Sequence, residues 1–256
     1  MLVGAFLSEG LHLSFVKMPS SFSYLAMTAK VMKEFGLAVD LSSSGVSIPG
    51  NQVAKPTTFK VSSDASAASY FFALGAMNKG PITVDGICPQ SQQGDLGFVE
   101  ILAKMGARVS FESSSITILP ASLRGVVVDM NTMSDVVPTL AIVALCCKGP
   151  TEIQNVAHLR YKECDRFAVV CRHLRSIGAQ VIEWESGFRI SPPEKIKPAV
   201  IDSFEDHRIA MAFFCLGQLL DGKIEIDNFQ TVNTSFPKFL ITMKKIGAIF
   251  EIKKKN

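Results

Sequence analysis

The chain has 256 residues, of which 48% are apolar and 19% are charged, with 26 Lys and Arg against 23 Asp and Glu. This composition favours a globular protein with a sizeable core and excludes a disordered chain, a collagen and a disulfide scaffold. The net charge of +3 is small and dispersed along the sequence. It excludes the concentrated basic surface that is typical of a nucleic-acid-binding protein.

No segment predicts a membrane span. The longest apolar stretch, residues 136–147, has 12 residues, whereas a membrane helix needs roughly 20. The first residues carry no positive charge, and Glu9 and Gly10 interrupt their apolar run, so no export signal is predicted. The six cysteines lack C-x-x-C spacing, which favours small core residues in a reducing cytoplasm over disulfides.

One sequence pattern recurs four times: a predicted helix ends at a glycine, and a β-rich segment follows. The glycines, spaced by 70, 72 and 69 residues, are Gly36, Gly106, Gly178 and Gly247. The β-rich segments that follow them are residues 37–41, 107–111, 179–184 and 248–252. Glycine is the residue that most readily ends a helix in the left-handed conformation. The sequence therefore predicts structural repeats of about 70 residues.

A second set of helices gives the order of elements within each repeat. These apolar helices close on Gly10, Gly80, Gly149 and Gly222, and strands are predicted before three of them at 58–61, 126–130 and 199–201. Each unit is expected to run strand, helix, strand, helix, strand, strand. Units of this size favour a compact α/β domain over a solenoid. The first unit lacks its opening strand, so we expect a truncated protein that begins inside a repeat.

Acidic residues open the first helix of the three later units, at Asp64, Asp135 and Asp206. A carboxylate at a helix start accepts hydrogen bonds from backbone N–H groups that have no partner inside the helix. For Asp64 this capping role is the simpler interpretation.

The densest polar cluster is HLRYKECDR at residues 158–166, directly before an apolar helix predicted at 167–177. A helix start attracts anions through its N–H groups and its dipole. Lys162 and Arg166 beside it favour an anion-binding site. The alternative is a solvated loop whose charges form local ion pairs.

A second cluster, Asp206, His207 and Arg208, opens another apolar helix predicted at 209–220. Taken alone, His207 fits a surface or capping residue. The pairing of this trio with Lys162 and Arg166 favours one shared anion site between two units. No zinc-like spacing, Walker loop or G-x-G-x-x-G motif is present, so the sequence implies neither a metal nor a nucleotide cofactor.

Several motifs, in this order, resemble the EPSP synthase family (3-phosphoshikimate 1-carboxyvinyltransferases). They are SDASAASYF at 63–71, QGD at 93–95, DMN at 129–131 with Asp135, LRYKECDR at 159–166, DHR at 206–208 and SFP at 235–237. The resemblance extends from the first residues to about residue 252. The sister transferase that acts on UDP-N-acetylglucosamine shares the repeat, but the K-E-x-D-R and D-H-R motifs are similar to the EPSP synthase pattern.

The resemblance implies an α/β (α+β) fold of the enolpyruvyl transferase type, an inside-out α/β barrel built from βαβαββ repeats. Family members have two such globes, joined by a hinge, with the active site in the cleft between them. Residues 1–55 would be the last, truncated unit of the N-terminal globe. Residues 56–256 would be the C-terminal globe of three units.

The implied reaction transfers the enolpyruvyl group of phosphoenolpyruvate to the 5-hydroxyl of shikimate 3-phosphate and releases phosphate. The resemblance implies no cofactor. We expect an incomplete enzyme, with the missing N-terminal half as a possible partner in trans. The alternatives are a non-catalytic partner chain of a split enzyme, a ligand-binding remnant and, less favoured, the UDP-N-acetylglucosamine enzyme. A partner is favoured by the apolar residues at 2–13, which the truncated unit would leave exposed.

By resemblance, Asp135 is the base that takes the 5-hydroxyl proton. Lys162 contacts that hydroxyl and is the proton donor, and Glu163 joins the proton transfer. Arg166 and Arg208 hold phosphoenolpyruvate, because their planar forks suit carboxylate and phosphate.

The remaining substrate-binding residues implied are Ser21, Tyr24, His158, His207 and Thr234. Ser21 would contact the shikimate phosphate, Tyr24 the shikimate side of the cleft, and His207 would support the anion site. Two positions depart from the family pattern. His158 stands where Asn is common, and Thr234 stands where many members have Lys, which removes one cation. A third departure is the absence of the upstream K-S-x-x-x-R segment.

Overall fold

The first unit is a small antiparallel sheet with one helix packed on it. The computed structural model describes residues 1–77, 80–220 and 224–253. The elements of this unit are a 3-10 helix (Leu2–Phe6), β1 (Leu11–Ser14), α1 (Phe22–Glu34), β2 (Asp40–Ser42) and β3 (Gly45–Ile48). Strand β3 pairs with both β1 and β2. Ala29 and Met32 of α1 pack against Val46 and Ile48 of β3 in an apolar cluster of their own.

The second unit has two helices and a three-stranded antiparallel sheet with β6 in the middle. Its elements are α2 (Ala65–Met77), β4 (Ile82–Asp85), a 3-10 helix (Gly94–Leu96), α3 (Gly97–Met105), β5 (Arg108–Phe111) and β6 (Ser115–Leu119). The strand predicted at 58–61 is wrong. Residues 53–64 are exposed and form no helix or strand, because no neighbouring strand pairs with them.

The third unit has the complete predicted order of strand, helix, strand, helix, strand, strand. Its elements are β7 (Val127–Asp129), a 3-10 helix (Asn131–Val136), α4 (Val137–Ala144), β8 (Thr151–Gln154), a 3-10 helix (Ala157–Tyr161), α5 (Arg166–Ser176), β9 (Gln180–Trp184) and β10 (Gly187–Ser191). The strands lie in the order β7, β8, β10, β9, with β7 and β8 parallel.

The fourth unit pairs two parallel strands, β11 and β12. Its elements are β11 (Ala199–Asp202), α6 (His207–Gly217), β12 (Ile224–Asp227), a 3-10 helix (Phe229–Thr234) and α7 (Phe239–Lys245). The strand predicted at 248–252 is wrong. The backbone N–H of Ile249 donates to Oε1 of Gln218 at 2.9 Å, a side-chain bond in place of a strand ladder. The predicted helix end at Gly222 lies outside the described residues.

The four glycines that define the repeat adopt the predicted conformation. Gly36, Gly106, Gly178 and Gly247 have φ values of +74°, +110°, +103° and +89°. A residue with a Cβ is strained in this left-handed region, whereas glycine is not. These glycines therefore end the helices, and the prediction is confirmed.

Apolar helices occupy the centre of the larger part of the chain. Helices α2, α4 and α6 contact one another, and most of their residues are buried. One continuous apolar cluster runs from Ala68 to Met243, separate from the cluster of the first unit. The boundary after residue 55 stays a prediction. Among residues 1–77, 80–220 and 224–253, no helix combines the length and hydropathy needed to cross a bilayer.

The turn before α6 holds two consecutive residues in a strained conformation. Phe204 and Glu205 have φ values of 51° and 58°, in the left-handed region that residues with a Cβ rarely adopt. Oδ1 of Asp202 accepts the N–H of Phe204 at 2.8 Å, and the hydroxyl of Thr231 donates to the carbonyl of Glu205. These bonds hold the turn that brings Asp206 to the start of the helix.

We predict that Glu205→Asn stabilises the protein. Asn tolerates the left-handed region better than Glu does, so the free energy of unfolding should rise by about 0.5 kcal/mol. Urea unfolding measures this. Glu194→Asn is the matched control, because Glu194 is exposed and lies outside the left-handed region. A loss of stability on Glu205→Asn would show that the turn is not strained.

Candidate active site

The polar clusters predicted from the sequence meet at one end of the central helices. Asp135 lies in the 3-10 helix before α4, Arg166 is the first residue of α5, and Arg208 is in the first turn of α6. The start of α1 lies across from them and contributes Tyr24. The site is therefore a cleft between the first unit and the rest of the chain.

Asp135 is the centre of the site. Its Oδ1 contacts Nζ of Lys162 at 3.1 Å and Nη1 of Arg166 at 3.2 Å. Its Oδ2 contacts Nη2 of Arg208 at 2.9 Å and accepts from the hydroxyl of Tyr24 at 3.3 Å. Burial alone would raise the pKa of Asp135, but the three cations outweigh it and lower the pKa to about 2. Asp135 is therefore ionised at neutral pH.

Arg166 is fully buried, and carboxylates engage all three of its nitrogens. Its Nε contacts Oδ2 of Asp206 at 2.8 Å, Nη1 contacts Asp135, and Nη2 contacts the carboxylate of Glu163. Burial opposes its charge, yet Asp206, Glu163 and Asp135 raise its pKa. A buried guanidinium needs such partners, since an unpaired charge is costly to bury. In this arrangement Glu163 covers Nη2 of the Arg166 guanidinium, and the Glu163 side chain is itself 44% exposed.

Arg208 is the second cation of the predicted anion site. Burial works against its charge, but Tyr70, Asp135 and Asp95 raise its pKa. Its Nη2 contacts Asp135, while its Nε is buried and has no hydrogen-bond partner among the described residues. A buried donor without a partner costs free energy. A ligand acceptor could satisfy this N–H only if the side chains that bury it move.

The two helix starts predicted to attract anions are capped by the protein's own side chains. Oδ1 of Asp165 accepts from the N–H of Ala168 at 2.9 Å at the start of α5. Oδ1 of Asp206 accepts from the N–H groups of Arg208 and Ile209 at 2.8 and 3.3 Å at the start of α6. The backbone N–H groups that these carboxylates occupy are not free to bind a ligand, and the anion site stays a prediction. The cationic side chains are the groups available to an anion.

Two residues at the start of α1, Ser21 and Tyr24, reach across the cleft. Ser21 precedes the helix in the left-handed region, with φ 57°, and makes no capping bond. Its hydroxyl instead lies 3.4 Å from that of Ser134 and 3.5 Å from the carbonyl of Asn131. The hydroxyl of Tyr24 donates to Oδ2 of Asp95 at 2.9 Å. Burial first, and then the two neighbouring carboxylates, raise the pKa of Tyr24, so this hydroxyl keeps its proton.

The other predicted substrate residues lie around this centre. His158 is half-buried in the 3-10 helix that ends just before Lys162, and its buried Nε2 has no hydrogen-bond partner within the residues that the structure describes. Burial lowers the pKa of His158, and Lys162 adds to the effect. His207 is the first residue of α6, and burial followed by Arg208 lowers its pKa. Both imidazoles are therefore favoured in the neutral form.

Thr234 is not brought into the cluster. It is exposed at the end of a 3-10 helix, and in the described residues no hydrogen bond joins it to Asp135 or the cations around it. Within the same part of the chain, no group of three or more His, Cys, Asp and Glu side chains is arranged to hold a metal ion.

Asp95 is a residue of the cleft to which the sequence assigned no role. It is only 4% exposed, and its Oδ2 accepts from Tyr24 and from the hydroxyl of Ser66. Burial raises the pKa of Asp95, against the effect of these two hydrogen bonds. The QGD motif at 93–95 pointed to the family, but one sequence does not reveal that its carboxylate faces α1.

Two cavities flank the centre. One of about 260 Å³ is lined by Tyr24, Asp64, Ser66, Asp95, Asp135 and Arg208, among others. The second, of about 640 Å³, is lined by Lys17, Ser20, Asn131, Asn155, His158 and Tyr161, among others. Both lie between α1 or the residues before it and the rest of the chain. These cavities provide room for a ligand of modest size, and the cations around Asp135 favour one that is anionic.

Comparison with known proteins identifies the family. The protein-family profile described as EPSP synthase (3-phosphoshikimate 1-carboxyvinyltransferase) matches residues 1–243. This chain belongs to the EPSP synthase family. The prediction made from the ordered motifs is thereby confirmed, and the match favours this family over the sister enzyme that acts on UDP-N-acetylglucosamine.

Individual relatives agree with the family match. The chain is 35% identical over 231 residues to the 3-phosphoshikimate 1-carboxyvinyltransferase of Methanocaldococcus jannaschii, a match that covers 90% of this chain and 54% of that protein. It is 40% identical over 237 residues to the chloroplastic enzyme of Brassica napus, covering 88% and 46%. The chain thus spans about half the length of the curated relatives it matches.

Solved structures confirm the fold. The EPSP synthase of Acinetobacter baumannii superposes with a TM-score of 0.77 at 28% identity, covering 89% of this chain and 55% of that one. The enolpyruvyl transferase NikO of Streptomyces tendae superposes with a TM-score of 0.74 at 17% identity, covering 97% and 58%. The second likeness concerns the fold alone. The expected α/β fold of the enolpyruvyl transferase type is confirmed.

We predict that Arg166→Met destabilises the protein strongly. The substitution leaves three carboxylates without their shared cation in a buried site, and it should lower the free energy of unfolding by about 3–5 kcal/mol. Arg175→Met is the matched control, because Arg175 pairs with Glu183 at the surface and is 47% exposed. Its loss should cost at most about 1 kcal/mol. Equal losses in urea unfolding would show that Arg166 does not organise the site.

Proposed function

We propose that this chain provides the C-terminal part of an EPSP synthase active site. The reaction transfers the enolpyruvyl group of phosphoenolpyruvate to the 5-hydroxyl of shikimate 3-phosphate and releases phosphate. The convergence of Lys162, Arg166 and Arg208 on Asp135 is the observation that carries the proposal. Three cations around one carboxylate suit a reaction that brings several anionic groups to a hydroxyl nucleophile.

Asp135 is the proposed base. A pKa of about 2 keeps it ionised but makes it a weak proton acceptor. When the phosphate and carboxylate groups of the substrates bind Lys162 and Arg208, these cations are shared with the new anions. Their hold on Asp135 weakens and its pKa rises. Substrate binding would then convert Asp135 from a structural counter-ion into a base for the 5-hydroxyl.

Lys162 is the proposed proton donor. It gives a proton to the methylene carbon of phosphoenolpyruvate while the 5-oxygen, which loses its proton to Asp135, bonds to the adjacent carbon. The C–O bond to phosphate in the resulting tetrahedral intermediate then breaks, and the leaving phosphate takes up the proton held by Asp135. The methyl carbon returns one proton to Lys162, which restores the double bond. Glu163, next to Lys162 in the chain, takes part in this proton transfer. No cofactor is required, because phosphoenolpyruvate itself carries the transferred group.

Arg166 and Arg208 are the proposed ligands for phosphoenolpyruvate. In the described part of the chain, the buried Nε of Arg208 has no hydrogen-bond partner, whereas Glu163 occupies Nη2 of Arg166. Binding of the substrate carboxylate at Arg166 therefore requires Glu163 to move, which its exposed position permits. Ser21, Tyr24 and His158 would contact shikimate 3-phosphate, with His207 supporting the anion site. Thr234 would contribute no charge.

We also propose a partner and a location. A polypeptide equivalent to the other half of the relatives would complete the cleft. The first unit exposes an apolar surface to receive it, with Leu2, Val3, Phe6, Leu7 and Leu13 between 44% and 70% exposed. A non-catalytic role as one chain of a split enzyme remains the second candidate on the same observation. The proposed location is the reducing cytoplasm, and all six cysteines are free thiols.

The activity test is phosphate release from phosphoenolpyruvate and shikimate 3-phosphate. We predict that the chain alone turns over below about 1 per second, the slow end of the usual range. Adding the N-terminal half of the Methanocaldococcus jannaschii relative should raise the rate at least a hundredfold. Asp135→Asn should abolish the increase, whereas Asp85→Asn, at an exposed strand end, should not. Equal rates for Asp135→Asn and the wild type would refute the proposed mechanism.

The apolar surface gives a separate prediction about the partner. Phe6→Lys places a charge on an exposed surface residue, so it should abolish activation by the N-terminal half while leaving the unfolding midpoint unchanged. Ile249→Lys is the control, since Ile249 is 89% exposed in the last segment of the chain. Size-exclusion chromatography with light scattering should show a complex for wild type and Ile249→Lys only. A complex that forms equally well with Phe6→Lys would exclude this surface as the contact.

A further inference from the structure

The hydroxyl of Tyr24 lies between two carboxyl groups that differ in their surroundings. It is 2.9 Å from Oδ2 of Asp95 and 3.3 Å from Oδ2 of Asp135. A phenol has one proton, so it makes one strong hydrogen bond at a time. The shorter distance identifies Asp95 as the main acceptor.

Tyr24 is the contact on Asp135 that a ligand could most easily replace. The other three partners are cations at 2.9 to 3.2 Å, and charge-assisted bonds are stronger than neutral ones. The Tyr24 contact is neutral and, at 3.3 Å, the longest. The 260 Å³ cavity is lined by Tyr24, Asp95, Asp135 and Arg208. A ligand hydroxyl entering there reaches Asp135 where Tyr24 now contacts it.

Asp95 is held in place from the opposite side. Ser66, in the first turn of α2, donates to the same Oδ2. Gln93, two residues earlier, accepts from the N–H of Ala65 at 2.8 Å and donates to the carbonyl of Ser63 at 2.8 Å. These bonds fix the loop of Asp95 to the start of α2. The position of Asp95 is therefore independent of α1, which carries Tyr24.

We propose that Asp95 is a positioning residue, which keeps Tyr24 hydrogen-bonded when a ligand hydroxyl takes the place of Tyr24 on Asp135. Without Asp95, Asp135 would be the one acceptor left for the Tyr24 hydroxyl among the described residues, and the ligand would have to displace Tyr24 from it. A buried hydroxyl left without an acceptor is unfavourable. The inference rests on the proposed function, in which Asp135 receives the substrate hydroxyl.

The test is a double-mutant cycle on the binding of shikimate 3-phosphate to the full chain, measured by calorimetry. Asp95→Ala should weaken binding about tenfold, the equivalent of one lost hydrogen bond. Asp95→Asn should stay within about threefold of wild type, because its amide oxygen still accepts from Tyr24. In the Asp95→Ala background, Tyr24→Phe should weaken binding less than it does in the wild-type background, since there it also removes the hydroxyl that competes for Asp135. The same effect of Tyr24→Phe in both backgrounds would overturn the inference.

A second cycle needs no ligand. The unfolding midpoints of Asp95→Ala, Tyr24→Phe and the double variant should be non-additive, because the two side chains share one hydrogen bond. Additive effects overturn the inference and leave the proposed function intact. A wild-type chain that binds no shikimate 3-phosphate, alone or with the N-terminal half of the relative, overturns both.

Discussion

The structure of the cleft depends on the burial of one positive charge. Arg166 has no exposed surface, and it is stable in the core because carboxylates from three segments surround it. Asp135 comes from the segment before α4, Glu163 from the loop before α5, and Asp206 from the start of α6. Since an unpaired buried charge is so costly, these segments must come together whenever the protein folds. The geometry of the site is thus set by charge pairing.

Asp206 shows how one side chain serves both the fold and the site. One carboxylate oxygen caps α6 and the other holds Arg166. The cap fixes the first turn of the helix, and the first turn carries Arg208 to Asp135. The two left-handed residues before Asp206 make this sharp entry possible. Asp206, which the sequence identifies as a helix cap, therefore determines where two arginines of the cleft lie.

The sequence predicted what depends on local chemistry. Glycines at a fixed spacing predicted where helices end, and polar residues before apolar runs predicted where they begin. The sequence-based predictions failed where the structure depends on contacts with residues distant in the sequence. Residues 58–61 have strand-like composition but no partner strand. At the starts of α5 and α6, the carboxylates of Asp165 and Asp206 occupy N–H groups that the sequence left open to a ligand. The role proposed for Asp95 depends on Tyr24, which approaches it from α1, and no spacing along the sequence reveals that approach.

The low pKa of Asp135 is compatible with a role as a base, because proton binding at Asp135 is linked to ligand binding at the cations around it. The cations that lower the pKa are the same groups that an anionic ligand would bind, so one set of charges has two competing partners. Each contact that a ligand makes with Lys162 or Arg208 weakens the stabilisation of the ionised carboxylate. Proton affinity at Asp135 and occupancy of the anion site must therefore rise together. Without a ligand, Asp135 holds the cleft together, and with a ligand it becomes more basic.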